Sequence, residues 1–552
     1  MGEATQATIA GLDAELAELA ETAVRPKANG YVRSVISLGS HGLPVDIECH
    51  LSNSLPNIVI VGAANKTVDE AKERLRGAFS NSGLQMPRKR ISINLAPADV
   101  PKDSSSLDLP IAIAILATSG DIDITTHNKA IFIGELGLDG GIRPVRGIIG
   151  KLLSGRANGF RRFYIPTGNL QQAQIVPHIE LVPVERLNDL YHHLRGPQAL
   201  QEPEMAHTNA ASSELSIIQT AGGRYVTSDR VLPPAVGLSD IVGQAHAKRA
   251  LQIAAAGGHN ILLNGPPGTG KSMLAKALAS LLPNLSHEEM LEVTHLHSLS
   301  SRDYDKLITE RPVRSPHHST SHIAIVGGGT QIRPGEVSLA HRGVLFFDEL
   351  PEFARSTIEA LRQPLEDKAI TVARAKDSAE FPANFIFVAT ANPCPCGFYG
   401  TSQAKRCDCT AHSINTYRRK ISGPLLDRID LGVAVEHIDH KRLLDTPVSS
   451  DEDASTKRLV SLARQIQADR FSSAEVLNSD MDNRQLRQYA KLDNQAKGLL
   501  DRASRQLDLS ARSYMRCLKV ARTIADLSES DRIKQFHVSE AIQYRTQASF
   551  IP

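Results

Sequence analysis

The sequence contains no tryptophan, and aromatic residues make up only 4% of it. That scarcity excludes an extended platform of stacked aromatic side chains for single-stranded bases. It leaves contacts to a phosphate backbone open. Charge of one sign is also missing. The 62 basic and 60 acidic residues leave a net +2, so a uniformly basic nucleic-acid coat is excluded and any such contact has to be local. No apolar run is long enough to cross a membrane; Ile111-Ala-Ile-Ala-Ile-Leu-Ala117 is core-sized. The first residues show neither a basic start nor an apolar signal core, so a cytoplasmic protein without a membrane partner is expected. Cysteines number six, and four of them crowd one short segment, which suits a reducing compartment better than a disulfide scaffold.

The 552 residues are enough for several domains. The fold class expected is multidomain α/β. Residues 1–29 place Ile9, Leu12, Leu16 and Leu19 at helical spacing among acidic residues, an amphipathic helix ending near Pro26. It serves either as a docking element or as an ordinary capping helix. Residues 30–195 alternate β-rich runs such as Val35–Leu38, Asn57–Val61, Ile91–Leu95 and Ala130–Ile133 with helical ones, and read as an α/β domain. Residues 196–234 are polar and read as a linker, followed by a module over 235–440. A second, acidic linker over 441–456 precedes a helical domain over 457–552.

Within 235–440 the most telling stretch is Gly265-Pro-Pro-Gly-Thr-Gly-Lys-Ser272, between the apolar run Ile261–Asn264 and a helical pattern from Met273. Strand, glycine-rich loop and helix in that order form a phosphate-binding loop. Gly265, Pro266, Pro267, Gly268, Thr269, Gly270, Lys271, Ser272 and Met273 are the expected nucleotide contacts. Backbone N–H groups of the loop close on phosphate oxygens, and the helix N-terminus adds its positive end. Lys271 reaches the β- and γ-phosphates, and Ser272 holds Mg²⁺. A second apolar strand, Gly343–Phe347, delivers Asp348 for the Mg²⁺ and Glu349 for the attacking water. A third, Asn384–Ala391, ends at Asn392, whose amide can orient that water. Arg428 follows a short helical turn and suits an arginine finger reaching a neighbouring subunit, with an internal Arg428–Asp430 ion pair as the plainer use. Arg512, near the start of a long helix, suits a second nucleotide sensor, acting in its own subunit or in a neighbour's. Ile241 and Val242 lie in a loop suited to cupping adenine. ATP and Mg²⁺ are therefore the expected cofactors.

The module resembles AAA+ ATPases of the magnesium-chelatase-related branch. The marks are Gly327-Gly-Gly-Thr330, Pro334–His341, Gly343–Leu350, Ala391-Asn-Pro393, Leu425–Asp430 and Leu509–Tyr514. From residue 30 onward the chain resembles the ComM/YifB family. The resemblance implies a central AAA+ domain, a C-terminal helical lid, a hexameric ring, and an ATP-driven role on single-stranded or branched DNA such as branch migration. It also implies that insertions line a central pore. Arg311, Arg314, His317, His318, His322 and Arg333 lie in one long segment between the Walker strands, Ile261–Asn264 before the phosphate loop and Gly343–Phe347 before Asp348. Ile370–Phe381 alternates as a hairpin with Arg374 and Lys376 near its tip, where basic groups would bind phosphates without reading sequence.

Two features stand beside the motor. Cys394-Pro-Cys396 and Cys407-Asp-Cys409 form a C-x-C pair of pairs, a candidate tetrahedral Zn²⁺ site with His412 as a substitute ligand, against four idle thiols. Residues 30–195 resemble the Lon protease domain. Lys151 matches its lysine, while the serine position falls on Ser106 by one alignment and on Asp108 by another; an aspartate there would pair with Lys151 and leave no nucleophile. A non-proteolytic domain is expected. Rival readings are a chelatase motor subunit inserting metal into a porphyrin, an ATP-dependent Ser–Lys protease, and a scaffold that only binds ATP.

Overall fold

The computed structural model describes residues 31–38, 41–62, 66–97, 105–127, 129–195, 218–219, 236–300, 307–329, 332–373, 378–400, 407–437 and 450–548. The amphipathic helix expected within 1–29, most of the 196–234 linker, and Arg374 and Lys376 lie outside them. The chain divides into two compact units, one within Glu3–Thr227 plus His287–Ile308, the other within Ser228–Ser286 plus Thr309–Pro552.

The first unit is built on a mixed sheet. Its strands are β1 (Tyr31–Leu38), β2 (His41–Ser52), β3 (Asn57–Val61), β4 (Arg90–Ala96), β5 (Ala130–Phe132), β6 (Arg162–Pro166), β7 (Glu180–Val184) and β8 (Ile218–Gln219), in the spatial order β8-β7-β6-β5-β1-β2-β4-β3. Side chains alternate across β1. Val32 and Ile36 enter one apolar core with helix α1 (Lys66–Asn81) and helix α2 (Asp108–Ser119), while Val35 enters another with α3 (Ile148–Ala157). Helix α2 is apolar all round, with Leu109 to Leu116 buried without a break, as a helix between layers must be. Helix α4 (Leu187–Arg195) adds Leu187, Leu190 and Leu194 to the core that holds α1 and α2.

The helix His287–Ser298 also belongs to this unit, a departure from the continuous nucleotide module expected over 235–440. Met290 and Leu291 pack on the α3 core. A Cβ on Gly150 would collide with the His295 ring, so glycine at 150 permits the close approach.

The second unit holds a five-stranded, wholly parallel sheet: β9 (Ile261–Asn264), β10 (Val313–Arg314), β11 (Val344–Phe347), β14 (Ile386–Ala391) and β15 (Leu431–Ala434), ordered β10-β11-β14-β9-β15. Every residue of β11 and β14 is buried, which is why β11 reads as an unbroken apolar run and β14 as one interrupted only by Thr390. Between them in sequence, β12 (Ala369–Ala373) and β13 (Ser378–Pro382) form the expected antiparallel hairpin.

Helices α5 (Ala245–Gly257) and α6 (Lys271–Leu281) share one apolar core with α7 (Ser450–Phe471), α8 (Asn494–Gln506), α9 (Ala511–Leu527) and α10 (Gln535–Ala548). Helix α7 begins inside the stretch read as a linker over 441–456. Two of its acidic residues have partners: Asp453 accepts from the Leu238 N–H at 2.5 Å, and Glu452 pairs with Lys248 at 2.7 Å. Carboxylates also suit the first turn of a helix.

Candidate functional site

The carboxyl end of strand β9 feeds directly into the loop Gly265–Gly270. Gly268 and Gly270 have φ of +77° and +84°, the left-handed region that glycine enters freely. Gly265 is needed for a different reason: a Cβ there would strike the Val435 carbonyl just beyond β15. Thr269, expected among the nucleotide contacts, turns its side chain inward. The residue is buried, and its Oγ1 donates to the Pro266 carbonyl at 2.9 Å. The hydroxyl of Thr269 is therefore spent on bracing the loop across its own turn. What Thr269 can offer a phosphate is its backbone N–H, which needs no particular side chain.

Helix α6 starts at Lys271, so its positive end faces the loop. The Lys271 Nζ donates to the carbonyls of Gly265 and Pro266, both at 2.7 Å, and to Asn392 Oδ1 at 3.1 Å. Burial pushes the Lys271 ammonium down to about 8, and Asp348 and Glu349 act in the opposite sense.

The other groups gather at the carboxyl ends of β11 and β14. Ser272 Oγ donates to Asp348 Oδ2 at 2.9 Å, and Thr390 Oγ1 donates to Asp348 Oδ1 at 2.6 Å. Thr390 Oγ1 also accepts from the Glu349 N–H at 2.7 Å. That bond supports Glu349 at φ +54°, an uncommon conformation for a residue with a side chain. Asn392 Nδ2 donates to Glu349 Oε1 at 3.3 Å. Lys271, Ser272, Asp348, Glu349 and Asn392 therefore form one connected set. Adjacent hydroxyl and carboxylate oxygens suit a hard divalent cation, and the glycine loop at a helix N-terminus suits polyphosphate, so these residues fit ATP with Mg²⁺.

Arg428 and Arg512 lie elsewhere. Both bond to Glu366, Arg512 at 2.7 Å, and Arg428 also donates to the Pro424 carbonyl at 2.7 Å. The Arg428–Asp430 pair does not form. Burial opposes ionisation of Asp430, but the facing Arg516 and His259 hold its carboxyl well below the usual range. Glu366, Arg428 and Arg512 line a cleft of about 810 Å³ that also takes in Lys368, Arg516 and Lys519.

Around the loop, Met273 is exposed, Ile241 is buried in the core beside Leu238, and Val242 is half-buried. In the segment between the Walker strands, Arg311 donates to the carbonyls of Pro283 and Arg342, both at 2.6 Å, and Arg314 pairs with Glu336 at 2.6 Å. These two arginines anchor the fold.

In the first unit it is Ser106, not Asp108, that contacts Lys151. Lys151 Nζ donates to Ser106 Oγ at 2.7 Å, and both residues are buried. Asp108 instead takes a fork from Arg74, Nε to Oδ2 at 2.6 Å and Nη2 to Oδ1 at 3.1 Å. The aspartate that would have silenced Lys151 is thus paired with another cation. Burial pushes the Lys151 amine down to about 7 and the Asp108 carboxyl up to about 6, the latter against the pull of Arg74.

The sulfurs of Cys394, Cys396, Cys407 and Cys409 lie within 4.8 Å of one another. Two polar residues escape a reading of the sequence alone. Thr390 does carry a signal, since strand alternation puts it on the same face as Asn392. Glu366 carries none.

A parallel sheet with this loop and these carboxylates at its carboxyl edge defines a P-loop nucleotide-binding module of the magnesium-chelatase-related class. Residues 237–443 match magnesium chelatase subunit ChlI, residues 450–545 match its C-terminal part, and residues 47–169 match a further ChlI family. YifB of Escherichia coli (strain K12) is 40% identical over 515 residues, covering 93% of this chain and 96% of that one. The competence protein ComM of Haemophilus influenzae is 39% identical over 521 residues, 94% of this chain and 98% of that one. The magnesium-chelatase 38 kDa subunit of Rhodobacter capsulatus is 29% identical over 178 residues, 29% of this chain and 51% of that one. The chain belongs to the magnesium-chelatase-related YifB/ComM family. Among the described residues, no helix is long and apolar enough to cross a membrane.

Proposed function

We propose that this chain is a ring-forming ATPase that turns ATP hydrolysis into movement of DNA through a central pore, in branch migration or unwinding of recombination intermediates. The observation that carries hydrolysis is the bridge from Lys271 through Asn392 to Glu349. Binding alone needs the loop and the lysine; a carboxylate held by a strand-end amide is needed to orient water. Lys271 neutralises phosphate charge. Ser272 and Asp348 would hold the divalent cation, which would supply charge neutralisation at the transferred phosphoryl group. Thr390 fixes the carboxylate of Asp348, and Glu349 accepts the proton of the attacking water.

Arg428 and Arg512 are committed to Glu366 rather than to the phosphate loop of their own chain. That arrangement supports action of both on the nucleotide of a neighbouring subunit, where a γ-phosphate would replace Glu366 as their anion. A hexamer is the assembly proposed. The DNA reading rests on the similarity to a protein named for competence and on the β12–β13 hairpin, whose connecting residues include Arg374 and Lys376. The test is the ATPase rate with and without single-stranded and branched DNA, with Glu349→Gln as control. Strong stimulation lost in the variant supports the motor. A rate indifferent to every DNA form moves the reading to a chelatase motor, and protoporphyrin is the next substrate to try.

The Lys151–Ser106 hydrogen bond favours a second activity in the first unit, acyl transfer from a peptide or ester to Ser106. An amine tuned to about 7 is neutral in a useful fraction near neutrality and can take the hydroxyl proton as that oxygen attacks. Labelling by a fluorophosphonate, abolished in Ser106→Ala and in Lys151→Met, tests it. Absence of labelling across the pH range returns the domain to a non-proteolytic role.

A further inference from the structure

We infer that the four cysteines form a structural zinc centre, and that this centre braces the ATP site from the side of Asn392 and Pro267. Three S···S distances are 3.3 Å for Cys394–Cys396, 3.7 Å for Cys394–Cys407 and 3.5 Å for Cys396–Cys407. A tetrahedron with Zn–S bonds of about 2.3 Å has S···S edges of about 3.8 Å. The sulfurs are too far apart for covalent pairing, which needs about 2.05 Å. They are too close together for four thiols that merely point into solvent, and Cys394 is fully buried.

The surroundings are those of a thiolate centre. The Tyr399 N–H points at the Cys394 sulfur at 3.4 Å, and the Phe398 backbone donates to Cys396. Such N–H···S bonds disperse the charge of metal-bound thiolates and orient them. The Gly397 N–H returns to the Cys394 carbonyl at 3.0 Å, which folds Cys394-Pro-Cys-Gly397 into a tight knuckle. Four sulfur ligands leave no open position, so the site holds a structure together and takes no substrate.

Two contacts carry the knuckle's position to the ATP site. Cys394 lies two residues after Asn392, whose amide joins Lys271 to Glu349. On the far side of the turn, Gly397 has φ +85°, and a Cβ there would sit 2.5 Å from Cδ of Pro267 in the phosphate loop. Arg418 adds support from outside: its Nε donates to the Pro393 carbonyl at 3.3 Å while its guanidinium lies 5.2 Å from the Tyr399 ring centroid. A metal that fixes Cys394 and Cys396 against Cys407 and Cys409 therefore fixes both Asn392 and one wall of the loop.

The effect on turnover rests on the hydrolytic reading above; the metal does not. The full chain, purified without chelator, is assayed for zinc and iron by plasma mass spectrometry. About one zinc per chain is expected, with none in the Cys396→Ser/Cys407→Ser double variant. Release of zinc by a mercurial is expected to lower kcat for ATP about ten- to hundredfold, with a much smaller change in binding of a fluorescent ATP analogue, and added zinc with thiol restores it. Iron, or no metal, overturns the zinc centre. Zinc loss with kcat unchanged overturns the brace. If the zinc-loaded wild type hydrolyses no ATP, the ATPase reading fails and the metal count still stands on its own.

Discussion

Arg428 and Arg512, from two distant parts of the chain, hold the two oxygens of one carboxylate, Glu366. The relationship gives each chain a pre-assembled pair of guanidiniums in a cleft lined by both cationic and acidic side chains. If the pair serves a neighbour's nucleotide, then Lys271→Ala chains, inactive as donors of a site, still donate arginines. Arg428→Ala and Arg512→Ala chains are also expected to be inactive alone. Mixing Lys271→Ala with either of them is expected to recover phosphate release. A mixture as silent as its components would place the arginines in their own subunit's site.

Thr390 gives the sharpest test of the carboxyl-edge geometry. Thr390→Val keeps the shape and β-branching but removes the hydroxyl that donates to Asp348 and accepts from Glu349. One hydrogen bond to a charged group lost is about 1.5–3 kcal/mol, so kcat is expected to fall roughly ten- to hundredfold. Thr390→Ser is expected to restore most of it, because the hydroxyl returns without the methyl. Full activity in Thr390→Val would mean that the pair of bonds does not organise the site.

Gly397 probes the same site from the opposite wall. Gly397→Ala faces both a left-handed φ and the rigid ring of Pro267. We expect reduced ATP turnover with zinc still bound, measured as phosphate release alongside metal content. Unchanged turnover would show that the loop tolerates displacement of the knuckle.

Lys151 yields a pH prediction with a definite sign. Its folded pKa is about 7, below the usual lysine value, so between about 7 and about 10.4 the unfolded chain binds more protons than the folded one. Stability from this residue therefore rises with pH through that window. Lys151→Met removes the effect, and its advantage over wild type in thermal unfolding is expected to shrink as pH rises from neutral towards 10. Labelling of Ser106 follows the neutral amine and is expected to climb through pH 7. A constant stability difference across the window would mean that Lys151 titrates as in water.

Much of this molecule is legible in the sequence because its signals are local. Strand β9, loop and α6 are contiguous, and the burial of β11 and β14 on both faces leaves mostly apolar runs that lead into Asp348 and Asn392. The hairpin of β12 and β13 announces itself by alternation. Even inside the loop, a motif marks positions without assigning their atoms: the Thr269 hydroxyl turns inward to Pro266, which only the folded turn reveals. What stays hidden depends on contacts between distant segments. The choice between Ser106 and Asp108 turns on Arg74, which lies on α1 and draws Asp108 away. Acidic residues at 452 and 453 look like linker because their partners, Lys248 and Leu238, lie some two hundred positions earlier. Glu366 becomes visible only when both arginines arrive at it.

The helix His287–Ser298 has a consequence for how the protein is made. A ribosome releases the chain from its amino end, and domains tend to fold as they emerge. Here the first unit is not complete when its own contiguous residues are out, because the helix that brings Met290 and Leu291 to α3 is encoded after the phosphate loop. The part of α3 that this helix covers stays uncovered until about the first third of the ATPase module has been translated. Cutting the gene within 196–234 would leave that part of α3 permanently bare.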